Sequence, residues 1–239
     1  MDNSGMARRE ESRDRRRFEM LEWLLDERRS CRAFGSDPVA HDTILRILSA
    51  AQKTASDCNI QPWRTRILSG EALDRLRHAM YERAARGAAP VSDIPPIASY
   101  SGVYRERRRD CGWQLYGSLG IARGDRTTSG RQALENFRFF GAPHLALITT
   151  PASLGVRGIL DCGGYLTTFV LAACALGVGT VPQASIAYRV DVIREQLAIP
   201  GDEHVVYGVS FGWPDGAHPV NGYRTSRAPL EHVVEFIDG

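Results

Sequence analysis

The sequence predicts an α+β fold, with helices laid over a mainly antiparallel sheet. Three observations carry this. Short runs at Trp63–Leu68, His144–Thr150 and His204–Phe211 have strand length and strand composition. Residues 18–25, 44–51 and 71–86 space their apolar side chains as amphipathic helices do. Asp161–Leu176 is apolar nearly all round, with Gly163, Gly164, Ala172 and Ala173 permitting close approach, as a central buried helix requires. Strands and helices of this kind pack as layers around one core.

Composition narrows the function classes. A chain of 239 residues with 43% apolar and 24% charged residues is ordinary for one large globular domain, or less readily two small ones. A net charge of +2 gives no global support for nucleic-acid binding. The longest uninterrupted hydrophobic stretch, Phe169–Val178, is short of a membrane span, and the amino terminus has no apolar signal region. Five cysteines, an odd number without a CxxC pair, suggest neither a disulfide framework nor a zinc site, so no metal is expected. These features predict a soluble, cytoplasmic protein.

Residues 1–17 carry nearly cancelling charges and read as a solvated arm or the frayed start of a helix, leaving 18–239 as a single domain. Phe18, Leu21, Trp23, Leu24 and Leu25 continue with helical spacing. Arg28–Phe34, RRSCRAF, follows. In extended chain Arg28, Ser30 and Arg32 share one face, and the roughly 13 Å from Arg28 to Arg32 suits a ligand with a phosphate at one end. Alone, the stretch reads more readily as a solvated basic loop. A second helix follows Pro38, with Ile44, Leu45, Leu48 and Ala51 inward. Ala55–Trp63 is small and polar, and Pro62 biases Gln61 away from helix. Ser56, Asn59 and Gln61 then lie on a loop feeding a strand, where they form either a capped turn or a set of groups for sugar hydroxyls and heterocycle edges.

Glu71–Arg86 predicts a helix, and the crossing through Pro90, Pro95 and Pro96 is expected to be the most mobile segment. Tyr100, Tyr104, Trp113 and Tyr116 interleave with Arg105, Arg107, Arg108 and Arg109 on a helix ending near Leu119. Glu106 and Asp110 dilute this as a nucleic-acid surface. Phe137, Phe139 and Phe140 read as core. Tyr188–Leu197 predicts another helix, and Leu230–Ile237 a terminal extended arm.

RRSCRAF, then SDCNIQPW from Ser56, GVGTVPQAS over 177–185, GVSFGWP over 208–214 and RAPL from Arg227 together resemble the FMN-dependent nitroreductase family, in its nitrobenzoate or nitroaromatic reductase branch. The resemblance implies that fold, as an intertwined homodimer with exchanged C-terminal arms, with 90–140 as an excursion roofing the substrate pocket. It implies a cofactor-contacting set of Arg28, Arg29, Ser30, Arg32, Ser56, Asp57, Asn59, Gln61, Pro182, Gln183, Ala184, Ser185, Arg224 and Arg227. Within it, Arg28, Ser30 and Arg227 would hold the FMN phosphate. Arg224 would share the load, because Thr225 stands where many relatives have a basic residue. Arg32 would lie at the flavin pyrimidine near N1 and O2 as electrostatic support.

Ser56 and Asn59 would contact the ribityl chain or ring, in part from the other subunit. The backbone N–H of Ala184 would face N5 and O4, and no catalytic acid or base is required. Ser185 is the exception to watch, since a hydroxyl near N5 would favour one-electron chemistry. No GxGxxG follows a strand, so NADPH or NADH would share one site with the acceptor and the kinetics would be ping-pong. The implied activity is reduction of nitroaromatic or quinone-like acceptors, nitro to hydroxylamine. Rival readings are a non-catalytic flavin carrier or sensor, and a same-fold enzyme of reductive dehalogenation or flavin destruction.

Overall fold

The computed structural model describes residues 3–237, with side chains from residue 12 onward. Its frame is a four-stranded antiparallel sheet in the order β1 (Arg64–Ser69), β2 (His144–Pro151), β4 (Glu203–Gly212), β3 (Gly179–Gln183). Seven α-helices accompany it among the described residues: α1 (Asn3–Glu27), α2 (His41–Ala51), α3 (Gly70–Ala85), α4 (Gly102–Ser118), α5 (Arg126–Leu134), α6 (Gly155–Ala175) and α7 (Val190–Leu197).

β2 is buried along nearly its whole length because both faces of the sheet are covered. Successive side chains alternate between faces. Ala146 and Ile148 join the core under α2 and α6 with Ile47, Phe169, Val209 and Phe211. Leu145 and Leu147 join the core under α3 and α7 with Leu73, Leu76, Met80, Ile186 and Ile193. Trp63 stacks on Tyr165 at 5.0 Å and donates from Nε1 to Gln52 Oε1 at 2.9 Å, which fixes how α2 meets α6. Phe139 and Phe140 are buried, as expected, and hold left-handed backbone at φ 57° and 52°. On β4, a Cβ at Gly208 would stand 2.6–2.9 Å from Ile186, so only glycine admits that close approach.

Several expectations change. The charged start of the chain runs into α1 without a break at residue 17, supported by the Arg15–Glu19 and Arg17–Asp14 pairs one turn apart. α6 is not buried all round. Cys162, Tyr165, Phe169 and Ala173 face the sheet, whereas Leu160 is 62% exposed and Thr167 and Gly164 are also exposed, because no second layer among the described residues covers that side. By length and apolar composition Ala152–Ala175 would pass for a membrane span. Packing on β2, β3 and α2 accounts for its inner face.

The proline crossing is tied down at its start. Val91 N–H donates to Tyr188 O and Val190 N–H to Val91 O, Arg189 donates to the carbonyls of Ala88 and Ala89, and Arg194 grips Asp93 with two bonds of 3.0 and 3.1 Å. The C-terminal stretch makes one short turn at Leu230–His232 and then leaves Phe236 and Ile237 more than four-fifths exposed, in keeping with an arm.

Candidate cofactor site

The arginine motif is extended, as its alternation predicts. Ser30 bridges Thr180 of β3 in parallel, and Cys31 N–H donates to Thr180 O at 2.8 Å. Because that pairing is parallel, the chain runs on from Ser30 to Arg32 alongside the run from Thr180 to Pro182. Gly179 makes room for this, since a Cβ there would meet Cys31 Cβ and Sγ at 3.0 Å. Cys31 itself turns inward, and burial pushes its thiol pKa up, so it serves packing.

Beside this strand-like segment lies a cavity of about 570 Å³, lined by Arg28, Arg29, Ser30 and Arg32 from one end of the chain and by Tyr223, Arg224, Thr225 and Arg227 from the other. Leu25, Asp26 and Cys111 complete the wall. Five guanidinium groups therefore face one carboxylate. Among the described residues no acidic group pairs with Arg28, Arg32, Arg224 or Arg227, and Arg29 has only Glu27, at 3.7 Å. Arg227 folds back so that Nη1 donates to Thr225 O, Thr225 Oγ1 and Ser226 O at 3.0–3.2 Å, and Arg224 donates to the carbonyls of Asn221 and Tyr223. Thr225, where many relatives carry a basic residue, supplies an acceptor that shapes Arg227. Such a concentration of fixed cations with spare N–H donors fits a phosphate.

Arg32 sits at the inner end. Its Nη1 donates to Tyr223 OH at 2.6 Å, and its guanidinium lies 5.8 Å from the Tyr223 ring centre and 5.9 Å from that of Phe140. Asn221, buried, ties the same segment down: its Oδ1 accepts from Arg32 N–H at 2.8 Å while its Nδ2 donates to Ala33 O and Asp215 O. Tyr223, Asn221 and Phe140 escape a reading of sequence. Tyr223 and Asn221 stand just before the second arginine cluster, and that adjacency was the signal available.

The other expected residues divide. Pro182 is partly buried on the edge strand β3, where a residue without an N–H is tolerated. Ala184 is exposed. The Gln183 side chain is 3% exposed, donating to Asn136 O at 2.8 Å and accepting from Ser210 Oγ at 2.5 Å, so its amide ties β3 to β4 and leaves only its backbone for the role expected of it. Ser185 is half-buried, with Oγ 3.4 Å from Asn136 Oδ1.

The Ser56–Gln61 loop is not brought to the arginine cavity of its own chain. It sits beside α2 and α6, where Asp57 N–H donates to Asp161, Gln61 N–H to Ser56 Oγ at 2.9 Å, and the Gln61 side chain bonds Asn59 O and Gln52. Cys58, Asn59 and Gln61 all hold positive φ, 46°, 59° and 46°, a strained turn of the kind that clusters at functional sites.

The nitroreductase family profile matches residues 25–213, from just before the arginine motif to the end of β4. The chain belongs to the nitroreductase family. Within that family it is 35% identical over 215 residues to nitroreductase NfnB of Mycolicibacterium smegmatis, covering 90% of this chain and 92% of the relative. It is 30% identical over 224 residues to a 4-nitrobenzoate reductase of Nocardioides sp., covering 92% and 91% respectively. The crystal structure of FMN-dependent NfnB from Mycobacterium smegmatis in complex with NADPH superposes with a TM-score of 0.87 over 92% of this chain and 99% of that one. The nitroreductase fold expected from the motifs is therefore the fold of this chain.

Proposed function

We propose that this nitroreductase binds FMN in the arginine cavity and uses NADPH to reduce nitroaromatic acceptors to hydroxylamines. The observation that carries the reading is the cavity itself, five arginines drawn from both ends of the chain around one carboxylate. FMN, when bound, takes a hydride from the nicotinamide and passes the electron pair to an acceptor. Arg28, Arg224 and Arg227, with Ser30, hold the phosphate. Arg32 stands at the end where the flavin pyrimidine would lie, and a fixed cation there favours negative charge developing on that edge. Residues 182–185 continue from Thr180, to which Ser30 and Cys31 are bonded, and their backbone would face the ring. The NADPH complex of NfnB and the 4-nitrobenzoate reductase among the relatives support the donor and the acceptor class.

The second subunit completes the site in this reading. The exposed side of α6, the strained Ser56–Gln61 loop and the exposed C-terminal arm lie outside the chain's own cavity, and a homodimer would bring that loop over the other subunit's arginines. Residues 90–140 form the roof. Arg105, Arg107, Arg108 and Arg109 on α4 have no carboxylate partner among the described residues, and they favour anionic acceptors at the mouth. Five free cysteines suit the reducing cytoplasm. The test is NADPH-driven bleaching of the bound flavin followed by reoxidation with 4-nitrobenzoate. Parallel double-reciprocal lines and a hydroxylamine product are expected. A protein that takes up no FMN on reconstitution would end the reading.

A further inference from the structure

Arg32 differs from the other cavity arginines in how it is held. Arg224 and Arg227 lean on backbone carbonyls close in sequence, which leaves them adjustable. Arg32 is fixed by a residue 191 positions away: Nη1 donates to Tyr223 OH at 2.6 Å, and the rings of Tyr223 and Phe140 flank the guanidinium at 5.8 and 5.9 Å. Only Nη1 is engaged in a side-chain bond among the described residues, so the remaining N–H groups stay available to a ligand.

The chemistry of that partner matters more than its geometry. Arginines are most often oriented by Asp or Glu, which supply two strong bonds and cancel the charge. A phenol orients the fork through one short bond and carries no charge of its own. The Tyr223 and Phe140 rings, both within about 6 Å of the guanidinium, exclude water without supplying a counter-ion, and a cation there interacts more strongly with whatever negative charge enters the cavity. We infer that Tyr223 is a positioning residue for Arg32, fixing the guanidinium at the cavity wall with its charge uncompensated so that the site favours the more negative, two-electron-reduced form of the cofactor. Burial raises the Tyr223 phenol above its ordinary value, outweighing the pull of Arg32, so it remains neutral across the physiological range. Asn221 holds the backbone of the same arginine, and the two together determine where its charge stands.

The inference rests on the FMN reading above, and a cycle of variants separates the two. Reconstituted holoprotein carrying Tyr223→Phe, Arg32→Ala or both is titrated for FMN affinity and for the midpoint potential of the bound flavin. Tyr223→Phe keeps the ring and loses the hydroxyl. Its affinity for oxidised FMN should change less than about threefold, while the ratio of reduced to oxidised affinity falls about tenfold, a drop of about 30 mV for a two-electron couple. Arg32→Ala should fall further, and adding Tyr223→Phe to it should change nothing more, because the hydroxyl acts only through the arginine. An unchanged potential in FMN-loaded Tyr223→Phe would overturn the inference and leave the FMN reading standing. So would a drop of the same size in the Arg32→Ala background. Failure of the unaltered protein to bind FMN would remove both.

Discussion

Arg227 shows how much of the site rests on single side chains. Its guanidinium lines the cavity, held by Thr225 and by the Ser226 carbonyl, and has no acidic partner among the described residues. Arg227→Ala should therefore weaken FMN binding by one to two decades, since a charge-assisted bond to phosphate is worth roughly 1.5–3 kcal/mol. Fluorescence titration of the apoprotein would measure it, and unchanged affinity would mean the phosphate lies elsewhere. Thr225→Val should produce a smaller loss in the same titration, because it removes only the acceptor that shapes Arg227. At this scale Arg28 and Arg32 could be read in sequence, because alternation along an extended chain sets which side chains share a face, whereas Arg29 lines the cavity against that alternation and Arg224 and Arg227 came from the family resemblance. Tyr223 could not, because an aromatic before a basic run has no spacing that announces a long-range partner, and neither could the structural role of the Gln183 side chain, whose partners Asn136 and Ser210 lie far along the chain.

At the scale of elements, the sheet is locked where Glu203 opens β4. Its carboxylate, buried, accepts from Arg64 and Arg66 of β1 and from Thr149 of β2. Burial alone would raise its pKa, but the bonds from Arg66, Thr149 and Arg64 outweigh that and hold it at about 2. A carboxyl depressed on folding contributes stability that is whole above about pH 4.5 and is lost as pH falls toward 2. Over that interval the contribution amounts to about 3 kcal/mol, since each tenfold change in proton affinity is worth about 1.4 kcal/mol. Glu203→Gln should flatten the urea-midpoint profile between those limits, and an unaltered slope would place the acid sensitivity elsewhere. Gly208→Ala, pressing on Ile186, should cost roughly 1–3 kcal/mol in the same assay. The strands on either side of β2 could be read from their apolar runs, to within about one or two residues. β3 was missed because Pro182 argues against a strand, a warning that an edge position cancels. α5 was missed because its nine residues carry no apolar stripe; Asp125 caps it by accepting from Thr128 N–H at 2.9 Å.

For the whole molecule, the unpaired side of α6 and the exposed Phe236 and Ile237 require a partner surface to be comfortable in water. Light scattering should give about twice the chain mass of 26.4 kDa down to the lowest measurable concentration. Stable monomers that hold FMN would contradict a shared site. What sequence offered here was the apolar helix and the arm, while in the proposed homodimer the surface they meet would belong to another copy and leave no periodicity in this one. The arginine cavity carries one last consequence. Its two halves lie about two hundred residues apart along the chain, the largest loop that a bound phosphate could close. Arg28 precedes Arg227 by about two hundred residues, and all four strands lie between them, so the complete cavity is absent until the sheet has been made. Under the proposed function FMN would act as a clasp between the two halves, and a nascent chain halted before Tyr223 should emerge folded in its core yet colourless.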